Sequence, residues 1–144
     1  MSSGAYGETS GSDSRGSRPT MERLMVFGLT EELQRLRGES QWTEGDRNSM
    51  TLAKEVDFRV LLSVLRDGAT LDEQDGDARV SLQVVEGRAR LYLGGSTQAA
   101  GGEEAELEAG DLAVVDAGHP WSLQAEGNCA VLLTLAWPRE KAGV

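Results

Sequence analysis

Apolar and polar side chains alternate most regularly between residues 79 and 93. Val80, Leu82 and Val84 fall on one face, with Arg79, Ser81 and Gln83 on the other. Beyond Glu86 and Gly87 the alternation resumes, Ala89, Leu91 and Leu93 opposing Arg88, Arg90 and Tyr92. A period of two marks a half-buried strand. Two such runs about a glycine turn predict a β-hairpin. Residues 57–65, DFRVLLSVL, and 129–137, CAVLLTLAW, are apolar runs of strand length. Shorter strands are expected over 50–54, 112–116 and 121–125, and a charged edge strand over 103–107. Turn signals at Asp67-Gly68, 109–111, 117–120 and 126–128 separate these runs. Many short strands with glycine at most turns predict an all-β sandwich or barrel.

The pattern before residue 49 differs. Residues 1–20 are rich in serine and glycine and nearly devoid of apolar side chains. Such a segment cannot offset its ordering entropy by burial, so a disordered tail is expected there. Leu29, Leu33 and Leu36 lie at helical spacing. Thr30 is the expected N-cap, Glu31 and Glu32 fill the first turn, Arg35 and Arg37 lie near the end, and Gly38 stops the helix. Residues 41–48 read as a polar turn around Trp42. The chain thus divides into a tail (1–20), a helix and linker (21–48), a barrel (49–137) and a short C-terminal tail (138–144).

Composition narrows the function classes. A length of 144 residues suits one domain with a real core. A net charge of −10 argues against nucleic-acid and anionic-membrane partners, which need a basic face. The single cysteine, Cys129, excludes an intrachain disulfide and is expected to be a buried, inert thiol. No apolar run approaches a membrane span, and the first twenty residues lack the apolar centre of a secretory signal, so a cytoplasmic location is expected.

The segment from 51 to 137 resembles the cupins, small jelly-roll β-barrels, and is most similar to the short single-domain bacterial kind. Their first motif opens on a glycine, places two histidines one residue apart, then a glutamate, and closes on a glycine. Here Gly68 opens and Gly87 closes, and the ligand positions fall on Gln74, Gly76 and Val80. The second motif opens at Gly110, passes Gly118 and puts its histidine at Trp121. The resemblance implies a cupin-type barrel whose metal-binding motifs are degenerate. Gln74 offers a neutral amide oxygen, Gly76 no side chain, Val80 an apolar one and Trp121 only an N–H donor. A transition metal needs converging imidazole, carboxylate or thiolate groups. No metal and no other cofactor is therefore expected.

Other chemistry is sparse. Asp67, Asp72, Glu73, Asp75 and Asp77 form an acidic stretch, but the EF-hand template fails because its first ligand position is Leu71. A solvated loop is the expectation. His119 with Asp116 is the one candidate for general-base catalysis, as in metal-free sugar epimerases of cupin fold. That chemistry wants a partner acid, and alternation turns Tyr92 outward. If the family's inward parity holds, Gln74, Val80, Leu82, Trp121 and Leu123 share the barrel interior. They then form either an apolar ligand pocket or simply a filled core. Three roles compete: a non-enzymatic small-molecule-binding or regulatory module, a metal-independent isomerase or epimerase using His119, and a structural interaction domain. A homodimer is expected because edge strands need cover, with 50–54 and the preceding segment pairing across a two-fold.

Overall fold

The computed structural model describes residues 21–73, 77–94 and 103–138. The expected disordered tail, Gln74, Gly76 and most of the C-terminal tail lie outside the described residues. Two helices, α1 (Leu29–Arg37) and α2 (Ser40–Thr43), precede nine strands: β1 (Arg47–Glu55), β2 (Phe58–Leu65), β3 (Thr70–Glu73), β4 (Arg79–Glu86), β5 (Arg88–Leu93), β6 (Glu104–Glu108), β7 (Leu112–Val115), β8 (Trp121–Ala125) and β9 (Cys129–Ala136). They form two antiparallel sheets, one ordered β1-β2-β9-β4-β7 and the other β3-β8-β5-β6. This is a jelly roll with β1 added at one edge.

The sheets face each other across one core. Val80, Leu82 and Val84 of β4 meet Ala89 and Leu91 of β5, Trp121 and Leu123 of β8, and Val131, Leu133 and Leu135 of β9, all of them buried. Alternate positions point away from this core, which is why β4 reads exposed, buried, half-buried, buried. Val85, the next position after inward Val84, packs on the outside of the sheet. Between Val84 and Glu86 the register against β9 shifts, a β-bulge that sets Glu86 opposite Ala130.

That outer side carries a second core. Leu33 and Leu36 of α1 and Trp42 of α2 are buried on Met50, Leu52, Leu62, Val64 and Ala130. Burying each leucine stabilises the contact by about 1.5–3 kcal/mol, which a two-turn helix needs in order to persist. Buried Asn48 donates from Nδ2 to the Leu36 carbonyl and to Glu39 Oε1, both at 2.9 Å. It thereby satisfies one of the terminal carbonyls of α1. Arg66 lies 4.0 Å from the Trp42 ring centre and donates to the Trp42 carbonyl at 2.8 Å, which holds α2.

Four expectations change. Thr30 is not the cap: the extended residue before α1 is Gly28, and its carbonyl accepts the Glu32 N–H at 3.1 Å. The polar stretch after α1 contains α2, because Trp42 buries itself against β1. The acidic stretch is partly a strand: β3 pairs with β8, and Asp72 Oδ1 accepts the buried Ser122 hydroxyl at 2.6 Å. The fourth change is topological. β4 and β5 form no hairpin, since β4 pairs with β9 and β7 while β5 pairs with β8 and β6. Gly87 alone links them, at a φ of 84°. A single residue is too short for a hairpin turn, so it turns the chain from one sheet into the other.

Candidate functional site

Side chains of directly opposed residues lie on the same face, so the register defines layers inside the barrel. In one sheet Arg59, Leu135, Val80 and Val115 form a row. In the other, Trp121 and Leu93 form a row, with Glu73 of β3 opposite Trp121 in backbone register. Val115 ends β7 and Trp121 begins β8, joined by residues 116–120, so both rows lie at the same end of the barrel. The next layer in is Leu61, Leu133, Leu82 and Ala113 against Leu71, Leu123, Leu91 and Ala105.

This layering places the residues singled out from the sequence. Val80, Leu82, Trp121 and Leu123 all sit in the buried inter-sheet core, Trp121 only 3% exposed. Gln74 lies outside the described residues. The space between the sheets is not filled evenly. At the edges β6 and β7 the inner layer ends in Ala105 and Ala113. Sheets stack about 10 Å apart, and two methyl groups do not bridge that distance. A cleft of about 880 Å³ results, walled by Leu91, Leu93, Ala105, Ala113 and Val115 and rimmed by Glu103, Glu104, Asp116 and His119. The signal in the sequence was two alanines at inward parity on edge strands.

Rim electrostatics are largely paired. Asp116 is held below the usual carboxylate range, first by the Ala117 N–H at 2.8 Å, then by Arg79 at 2.7 Å, with His119 adding to them. Glu104 lies 3.4 Å from Arg90. His119 is exposed and shares the cleft rim with Asp116. Tyr92 pairs with Ser122 and Glu104 on the other side of its strand, away from Leu91 and Leu93. Burial pushes the Cys129 thiol up to about 11, which leaves it protonated and a poor nucleophile at neutral pH.

Two of the four positions where the resemblance expects metal ligands lie among the described residues, and neither side chain can ligate a metal. Val80 has no donor atom, and Trp121 offers only an N–H. Among the described residues no three His, Cys, Asp or Glu side chains are grouped so as to hold a metal ion. What this end does present is donors. The Trp121 Nε1 and Arg59 Nε atoms are buried with no hydrogen-bond partner among the described residues. The Arg59 guanidinium lies 5.3 Å from the Trp137 ring centre. Arg59 escaped the sequence reading because it sits in an apolar run where one charge reads as an outward side chain.

Solved structures share this architecture. A conserved protein of unknown function from Streptococcus pyogenes is 18% identical over 86% of this chain and 99% of its own, with a TM-score of 0.61. A cupin superfamily protein from Desulfitobacterium hafniense is 13% identical over 84% of this chain and 97% of its own, with a TM-score of 0.60. KdgF from Halomonas sp. is 20% identical over 66% of this chain and 82% of its own, with a TM-score of 0.53. No protein-family model matches the sequence, and no curated protein matches it. The class defined by the sheet order and these neighbours is a small jelly-roll barrel. More narrowly, this is a cupin-type barrel, the fold implied by the spacing from Gly68 to Trp121. Among the described residues no helix is long and apolar enough to cross a membrane.

Proposed function

We propose that this cupin-domain protein is a metal-independent, non-enzymatic module of the cytoplasm that binds a small apolar ligand, in a regulatory role and as a homodimer. The observation that carries the reading is the cleft between β6 and β7, with its apolar floor beside Trp121 and Val80. An apolar concavity with a few polar groups at its rim is the usual form of a small-molecule site. The ligand then lies against Leu93 and Val115, the strand neighbours of Trp121 and Val80, while those two support it from the core. In the dimer the free edge of β1 pairs across a two-fold, covering an otherwise open sheet edge.

The test is to fill the cleft. An environment-sensitive apolar dye should bind the wild type and lose at least about tenfold affinity in Ala113→Leu, with melting temperature maintained. Equal binding by both would place the ligand elsewhere, and no binding by either would favour the structural interaction domain. Light scattering should give a dimer at micromolar concentration, and a monomer would remove that part of the proposal. The catalytic alternative rests on His119 and Asp116 sharing the rim. An isomerase activity abolished by His119→Ala would establish it in place of the binding role.

A further inference from the structure

The polar side chains that line the cleft are Glu103, Glu104, Asp116 and His119. Strand register sorts the three carboxylates. Glu104 stands opposite Tyr92, and Asp116 follows Val115, which stands opposite Val80. Both therefore fall at outward positions, where Glu104 meets Arg90 and Asp116 meets Arg79. Glu103 differs. Its carbonyl accepts the Leu93 N–H at 2.9 Å, which extends the β5–β6 register by one pair and sets Glu103 opposite Leu93. Directly opposed residues share a face. The inward stripe of β6 thus runs Leu107, Ala105, Glu103, buried at its foot and exposed at its head. The Glu103 carboxylate has no ion pair or hydrogen bond among the described residues. No lysine or arginine lines the cleft, and residues 95–102, which join Gly94 to Glu103, carry no charge in sequence.

We propose that the ligand is an amphipathic amine. Its ammonium pairs with Glu103 at the mouth, and its apolar body lies between Ala105 and Ala113, on Leu91, Leu93 and Val115. This deepens the binding role assigned above and rests on it. An ammonium carries donors and no acceptor, which a carboxylate free of other partners complements. An oxyanion in the same place would meet Glu103 with no lining cation to offset it. From Glu103 to Leu107 the stripe spans four residues, about 14 Å. A short alkyl or aryl body therefore reaches the buried leucine while its charge stays at the rim in water, where it escapes the cost of full desolvation. The neutral His119 ring can accept a further hydrogen bond there. The donors of Trp121 and Arg59 do not set the sign of the ligand, because neither residue lines the cleft and the Arg59 guanidinium faces the Trp137 ring.

The experiment compares octylamine, octanol and octanoate by calorimetry on the wild type, Glu103→Gln, Glu106→Gln and Ala113→Leu. Glu106 does not line the cleft and pairs with Arg88 and Arg90, so its variant removes the same charge from the same strand outside the site. This control is needed because a net charge of −10 attracts any cation. Octylamine should bind the wild type about fivefold tighter than octanol, near the most that one exposed ion pair contributes, and octanoate should bind weakest. Glu103→Gln should erase the preference for the amine, Glu106→Gln should keep it, and Ala113→Leu should weaken octylamine as it weakens the dye. Octanoate binding as tightly as octylamine would overturn the proposal. An equal loss in the two glutamine variants would overturn it by assigning the preference to net charge, and octylamine binding unchanged in Ala113→Leu would place the amine elsewhere. An apolar dye bound in the cleft by a protein that does not prefer octylamine to octanol would refute the amine and leave the binding role standing, whereas binding of neither dye nor amine would remove both.

Discussion

The two ends of the barrel are built on opposite terms. At one end the chain passes between strands through short turns, and Gly68, Gly87, Gly110 and Gly127 take left-handed φ angles there. These turns are knitted to one another. Asp67 N–H donates to Asn128 Oδ1 at 3.1 Å, Gly127 N–H to Asp67 Oδ1 at 2.7 Å, Gly68 N–H to the Ala125 carbonyl at 2.9 Å and Glu126 N–H to the Arg88 carbonyl at 2.9 Å. Several of the side chains beneath are small, Ala69, Ala89, Ala125 and Cys129, all of them buried beside Leu65 and Leu107. At the other end the large side chains gather, Trp121 and Arg59 carry donors with no partner among the described residues, and the sheets part into a cleft. One end satisfies its backbone completely enough to define the fold, and the other keeps polar groups in reserve. Strain and unmet hydrogen bonds concentrate where a protein meets its ligand.

Substitutions can break this contrast. The largest loss is expected from Trp121→Ala at the open end. As a buried indole in the inter-sheet core it should cost about 3–5 kcal/mol in urea unfolding. A loss near 1 kcal/mol, together with loss of ligand binding, would mean that the ring is a pocket wall and contributes little packing. Gly87→Ala at the closed end should cost about 2–4 kcal/mol, from left-handed strain and forced movement of packed backbone. A methyl there meets the Asn128 carbonyl oxygen at a separation no real Cβ shows, and comes within 2.9 Å of Cys129 Cα. Wild-type stability in that variant would show that the corner can relax. Asn128→Ala removes one acceptor of the knitted turns and should lower stability by about 1 kcal/mol without changing ligand affinity. An affinity change would mean the two ends communicate. The smallest effect is expected from deleting residues 1–20, which should move stability by less than about 0.5 kcal/mol. A clear drop in melting temperature would show that those residues pack.

The contrast also marks what could be read from the chain. The closed end was legible because its physics is local: glycine at a turn and alternation on either side are visible within a few residues, as at Gly68 and from Val80 to Val84. The pairing of those strands was not, because which edges meet is decided by the whole set of strands. Hence a hairpin was expected where Gly87 turns the chain between sheets. β3 was hidden because Asp72 and Glu73 read as loop residues until their pairing with β8 is known. Trp42 looked isolated because its partners, Met50 and Leu62, belong to other strands. At the open end the spacing located Val80 and Trp121 inside the barrel, but the cleft follows from Ala105 and Ala113 leaving space between two different sheets, which no single stretch displays.

The one-residue corner at Gly87 has a mechanical consequence. β4 and β5 leave it in different sheets, and β5 runs about 20 Å from there to the cleft. The two strands therefore act as levers on a common fulcrum, whose swing is resisted by the knitted turns beside it. A tilt too slight to disturb Asn128 or Cys129 is magnified along that length into a change in how far the sheets splay at the mouth. A substitution at Gly87 that tilted one sheet against the other would therefore be felt at the cleft, the full length of β5 away.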